Sequence, residues 1–177
     1  MNGVVVDTNV FVAAGFNSKS AAARVLAAVR ERHFLLVWNK STRRETETIL
    51  RRIPGLHWAR VADLFLPEGE FTGPVDPDAF VMIADRDDRK FVALSAAATT
   101  PLVTNDNHVL AQQRAVGIEI LSPRAFVAIE GLDDAGTHGN DAGAPSADPP
   151  SHTATTWRLS NDERPRGLGK ARERLSF

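Results

Sequence analysis

The feature that most constrains this chain is a series of apolar runs too short for helices. Helical stretches separate them, and acids stand where the runs end. Val4-Val5-Val6 passes straight into Asp7, and Leu102-Val103-Thr104 passes into Asn105-Asp106. Between them, Ser20–Arg30 is alanine-rich with Val25, Leu26 and Val29 on one face. Phe34–Trp38 is a second strand-like run, and Lys40–Arg51 predicts a helix whose Thr42-x-x-Glu45 spacing fits a capping box. Pro54-Gly55 interrupts the pattern, Leu56–Phe65 predicts a further short helix, Gly69–Pro77 a loop, and Ala79–Ile83 fits helix or strand. Asp87 or Asp88 caps a helix reaching Ala98, and His108–Arg114 is a short helix with Gly117 as C-cap. Ile118–Leu121 is the last strand, and Ser122-Pro123 opens the last helix, serine as N-cap and proline in the first turn. Continuous apolar strands alternating with helices imply a parallel sheet covered on both faces. Such sheets carry their sites outside the carboxyl ends of the strands.

The pattern stops at Glu130. Hydrophobic side chains make up 64 of the first 130 residues but only 12 of the last 47. Gly131–Ser151 contains seven glycines or prolines and a single large aliphatic, Leu132, so it cannot bury enough apolar surface to offset its ordering entropy. The expected organisation is one folded domain over residues 1–130 and a flexible, low-hydrophobicity tail over 131–177. Within the tail, Trp157, Leu159, Leu168, Leu175 and Phe177 lie among six basic residues and offer at most a weak docking segment. A net charge of −1 means that any nucleic-acid binding has to come from a local patch. The absence of cysteine excludes disulfides and thiolate zinc sites. No apolar run approaches a membrane span, and the chain passes from Met1 directly into a strand-like run, so the expectation is a cytoplasmic protein with no membrane partner.

The acids concentrate where the chemistry of such a fold would be. Asp7 and Asp106 close two strands; Asp85, Asp87 and Asp88 stand at the start of the helix leading into the Asp106 strand; Glu45 and Glu47 lie in the helix after the second strand. Carboxylates gathered at one edge repel one another and need a counter-charge. A hard divalent cation supplies it with oxygen ligands alone. Single residues also have plainer roles: Asp88 as a helix cap, Asp85 and Asp87 as capping or surface groups, Glu47 as a solvated helix residue. Asp7 resists such a reading, because a carboxylate ending an apolar strand is poorly solvated without a partner. Asn9 replaces the second acid that a haloacid-dehalogenase phosphatase needs. The acid pair and lysine of a receiver domain are missing, and no glycine-rich phosphate loop occurs.

The segments Val4-Val-Val-Asp-Thr-Asn-Val-Phe-Val12, Asp85-Arg-Asp-Asp-Arg-Lys-Phe-Val-Ala-Leu94, Leu102-Val-Thr-Asn-Asp-Asn-His-Val-Leu110 and Ile118-Glu-Ile-Leu-Ser-Pro-Arg-Ala-Phe126 together resemble the ordered motifs of PIN-domain proteins, over residues 3–129. The nearest subgroup in character is the VapC-type toxins of bacterial toxin–antitoxin pairs. The resemblance implies a three-layer α/β/α fold around a central parallel sheet and a Mg²⁺- or Mn²⁺-dependent ribonuclease. The partners it implies are an RNA substrate, a cognate antitoxin protein and a second copy in a homodimer built on helices near the N-terminus. Carried over by position, Asp7 and Asp106 match the first and last family acids. Glu45, five residues before Leu50, matches the second, with Glu47 in reserve. Asp88 matches the third, with Asp85 and Asp87 as substitutes. Arg89 departs from the family, which often has an acid or Asn there, and Asn105 stands where Gly is frequent.

Around these acids, Asn9 and Thr104 are placed to hydrogen-bond and orient them. Arg43, Arg44, Arg51 and Arg52 are either a backbone-binding patch or a solvated face. Trp38 and Trp58 are base-stacking platforms or, more simply, core, and His108 is a phosphate contact or an exposed residue. The compositional break yields a first prediction. Truncation after Glu130 is expected to leave the thermal melting transition within a few degrees of the full chain. A collapse in solubility would instead show that the tail covers an apolar surface.

Overall fold

The computed structural model describes residues 2–132. Four strands, β1 (Asn2–Val6), β2 (Phe34–Leu36), β3 (Leu102–Val103) and β4 (Ile120–Leu121), form one parallel sheet in the order β2-β1-β3-β4. Seven α-helices accompany them among the described residues: α1 (Thr8–Phe16), α2 (Ala21–Arg30), α3 (Lys40–Arg52), α4 (Arg86–Ala98), α5 (Asn107–Ala111), α6 (Gln113–Val116) and α7 (Pro123–Ile129). From β1 the chain crosses to β2 on one side, then returns to place β3 on the other. The strand order therefore reverses between β1 and β3, which is where ligands bind in open α/β sheets.

Side chains on successive strand residues point to opposite faces, and β1 shows how this builds three layers. Val4 and Val6 pack with Val25, Leu26 and Val29 of α2, with Phe126 and Val127 of α7, and with Phe11 of α1. Val5, between them, packs with Phe91, Val92 and Leu94 of α4 and Val109 of α5. Because both faces are covered, the strands need no polar alternation, and Val4, Val5 and Val6 are all essentially buried. Among the described residues no helix is long and apolar enough to cross a membrane.

The structure departs from the sequence-based expectations where local signals were ambiguous. Helix α1 was not expected: Thr8 and Asn9 look like turn residues, and Val10 to Ala14 are apolar without a polar stripe, so no helical period shows. Asp7 is its N-cap, accepting from the Asn9 amide. The capping box of α3 is one turn earlier than expected, with Asn39 as N-cap and Thr42 at the third helical position. Helix α4 is capped by Asp85, not by Asp87 or Asp88. The helix expected over Leu56–Phe65 is two 3-10 turns, Trp58–Arg60 and Ala62–Leu64, and Pro77–Phe80 is another. The expected helix after the last acid is split into α5 and α6, with Gly117 in the left-handed region at the end of α6. The tail and its five apolar residues from Trp157 to Phe177 lie outside the described residues. Leu132 packs against the core.

One glycine is fixed by crowding. Gly69 accepts the Trp38 amide in a hydrogen bond of 3.0 Å, and an added Cβ would run into the backbone carbonyl of Leu36. Backbone cannot step aside as a flexible side chain can. Gly69→Ala is expected to cost about 1–3 kcal/mol, the usual range for overpacking, read as a lowered midpoint in urea with unchanged slope.

Candidate active site

At the switch between β1 and β3 the two strand ends are tied by a closed polar network. The Asp7 amide donates to the Val103 carbonyl at 3.0 Å. The Thr104 hydroxyl donates to Asp7 Oδ2 at 2.6 Å, and Asn9 Nδ2 donates to the same oxygen at 2.8 Å. Asn9 Nδ2 also reaches the Thr104 hydroxyl at 3.1 Å, while Asn9 Oδ1 accepts the Asn105 amide at 3.0 Å. The Thr104 hydroxyl accepts the Asp106 amide at 3.0 Å. Asp106 caps α5, its Oδ1 accepting the amides of His108 and Val109 at 2.6 and 3.3 Å. Asp7 is only 4% exposed. Burial pushes its carboxyl above the ordinary value; the bonds from Thr104 and Asn9 pull against this, and the charges of Glu45 and Asp106 push the same way as burial.

Helix α3 supplies the opposite wall. Thr46 is buried, donates to the Thr42 carbonyl and meets the Thr8 hydroxyl at 2.9 Å. On the back of the helix, the Arg43 guanidinium lies 5.5 Å from the Trp38 ring and 5.7 Å from the Trp58 ring. These contacts turn Glu45 toward the strand ends, where Thr8 reaches Glu45 Oε1 at 3.4 Å. Glu47 points elsewhere and pairs with Arg51 at 2.8 Å. The cleft thus takes Glu45 and leaves Glu47 outside.

Of the three acids at the start of α4, all border the cleft, but their states differ. Asp85 is engaged as N-cap, its Oδ1 accepting the Asp87 amide at 2.8 Å. The Asp87 side chain is exposed and pairs with Lys90 at 3.1 Å. Asp88 is half-buried, and its pKa is raised to about 7 by burial first, then by the charges of Asp7, Asp85, Asp106 and Glu45. Asp88 is therefore the one that feels the whole acidic cluster.

The cleft is open, about 910 Å³, and Asp7, Glu45, Asp88 and Asp106 all line it. Its rim includes Lys40, Arg44 and Arg52 of α3. Arg44 and Arg52, two of the four arginines read as either a backbone-binding patch or a solvated face, line the cleft, while Arg43 is held by the tryptophans and Arg51 by Glu47. Trp38 and Trp58 are core residues. The His108 side chain is exposed.

Sequence reasoning missed two residues here. Lys40 stands one turn before Arg44, a spacing of four residues that would have exposed it, and it lines the cleft with Arg44 and Arg52. Lys90 reaches across from α4, donating to Glu45 Oε2 and to Asp87 Oδ1. Burial alone would lower its pKa, but its bonds to Glu45 and Asp87 outweigh that and hold the ammonium above its ordinary value. Arg89 turns away from the acids and donates to the Ile83 carbonyl at 2.7 Å.

The donor set is all oxygen, and the mutual repulsion recorded at Asp88 is a demand for positive charge. Among the described residues no three acids already stand as a closed metal cage. A hard cation that binds through one or two carboxylates and keeps several waters needs no such cage, and the residues present fit that kind of ion.

Because Asp7 and Asp88 hold protons more tightly folded than unfolded, the folded state binds extra protons above the ordinary carboxylate value, at Asp88 up to about pH 7. Their contribution to stability is present below the ordinary carboxylate value and is lost as pH rises through the folded value. In chelator, the melting temperature is expected to be lower at about pH 8 than at about pH 5.5. Adding Mg²⁺ or Mn²⁺ should narrow that gap.

Residues 3–108, more than half of the chain, match the family model described as "PIN domain". No curated protein matches the chain.

Proposed function

This chain belongs to the PIN-domain family, and from that premise we propose that it is a Mg²⁺- or Mn²⁺-dependent endoribonuclease cutting single-stranded or locally unpaired RNA. PIN domains are typically nucleases that use divalent metal ions. The observation that carries the reading is the convergence of Asp7, Glu45, Asp88 and Asp106 on one open cleft whose other rim is basic.

When bound, the cation would lower the pKa of the attacking water and offset charge on the scissile phosphate. Asp7, its orientation fixed by Thr104 and Asn9, Glu45, beside the Thr8 hydroxyl, and Asp106, tied at one oxygen by two amides, would share such an ion, one or two of them directly and the rest through its waters. Asp88 completes the set. Half-buried on the wall of the cleft, it is suited to accept a proton during hydrolysis. Lys40, Arg44 and Arg52 are placed to hold backbone phosphates on either side of the cut. The acids lie at strand ends inside a cleft, which favours a strand that is not paired.

The biological setting we propose is the cytoplasmic toxin of a type II toxin–antitoxin pair. An antitoxin would neutralise it by bringing a guanidinium onto the cleft's carboxylates, where bidentate pairing competes with a cation. Val25, Leu26 and Val29 of α2 are consumed by the core. A homodimer through the N-terminal helices would therefore use other side chains, and Phe16, 66% exposed at the end of α1, is the large apolar one offered there.

Asp7→Asn, Glu45→Gln and Asp106→Asn are each expected to lower cleavage of single-stranded RNA by at least about a hundredfold with the circular-dichroism spectrum unchanged. Of Asp85→Asn, Asp87→Asn and Asp88→Asn, the last should be most damaging. Full activity in excess chelator, or in Asp7→Asn, overturns the mechanism. Expression of the whole chain should slow bacterial growth, Asp7→Asn should relieve this, and an adjacent gene product should restore growth by binding. A wild-type chain harmless in its own host without a partner would favour a housekeeping role in RNA processing.

A further inference from the structure

We propose that Lys90 is a resident counter-cation of this cleft: its ammonium holds Glu45 until a divalent cation takes its place, so that metal uptake is an exchange. The proposal rests on the metal-dependent reading above and adds a step to it. Three observations carry it. The Lys90 ammonium donates to Glu45 Oε2 across the cleft, from α4 to α3, with the two side chains only 17% and 20% exposed. Glu45 has a second neighbour, since the Thr8 hydroxyl lies 3.4 Å from its Oε1 and can turn its one proton from Thr46 onto the carboxylate when the ammonium leaves. Lys90 also has a second hold, Asp87 Oδ1 at 3.1 Å, on an acid whose side chain is 82% exposed at the rim. Both halves of the pair thus have somewhere to remain after it is broken.

The charge arithmetic gives the role a distinctive signature. A purely structural tether between α3 and α4 would, when removed, loosen Glu45 and weaken metal binding and stability together. A competing cation, when removed, leaves the carboxylates uncompensated and so lowers stability without metal, but it tightens metal binding, because one like charge no longer stands in the site. The two properties move in opposite directions.

The test uses the full chain stripped of metal and titrated with Mn²⁺, free Mn²⁺ being read from its electron paramagnetic resonance signal. Lys90→Met is expected to bind Mn²⁺ roughly tenfold more tightly than wild type, to melt earlier than wild type in chelator, and to gain more in melting temperature when Mn²⁺ is added. Lys90→Arg, which keeps the charge and can fork onto Glu45, should bind Mn²⁺ no more tightly than wild type. Should Lys90→Met fail to give a folded spectrum, Lys90→Gln carries the same expectation. Unchanged or weaker Mn²⁺ binding by a folded, uncharged variant overturns the proposal and leaves the nuclease reading standing. Absence of Mn²⁺ binding by wild type removes both.

Discussion

A carboxylate sealed at the end of an apolar strand is the constraint around which the rest of the site is arranged. Asp7 follows three buried valines and is itself nearly inaccessible, in surroundings where an unpartnered charge is costly. The chain answers with short polar side chains on two separate segments. Asn9 comes from the first turn of α1, and Thr104 from the end of β3. The same hydroxyl and amide that steady Asp7 also position the backbone leading to Asp106. One network therefore caps two helices, joins two strands and spaces two acids, which explains why the strands can be so short at this edge.

The second wall is built by a different kind of contact. Helix α3 is strongly charged and would gain little from isolated burial. It is fixed from behind by Arg43 between two tryptophans and from beneath by Thr46. With that side committed, the remaining face carries Glu45 together with Lys40, Arg44 and Arg52. The cleft is consequently polarised, with acids at the strand ends and guanidinium groups along the rim.

Much of this was legible in the sequence, for physical reasons that differ by element. The strands and the covered sheet follow from apolar runs whose meaning is local. Asp7 and Asp106 stood out because each ends such a run. Helix α1 was hidden because a helix apolar nearly all round shows no stripe. The caps at Asn39 and Asp85 were displaced from expectation because several neighbouring residues can all cap, and only backbone geometry selects one. Among the acids at the start of α4, partial burial sets Asp88 apart from the exposed Asp85 and Asp87, whereas capping does not, since Asp7 and Asp106 cap helices as Asp85 does. Lys90 was invisible for the plainest reason: its partner is 45 residues away, and nothing in the local pattern reports the distance between two helices.

The separation of Asp7 from Thr104, 97 residues along the chain, also has a consequence for synthesis. During translation the first acid leaves the ribosome long before the hydroxyl that fixes it. Strand β3 must emerge before it can take its place beside β1, and β4 and α7 come later still. Until then the early acids have neither their full set of neighbours nor a cleft to face. The cleft is therefore complete only when nearly all of the domain has emerged.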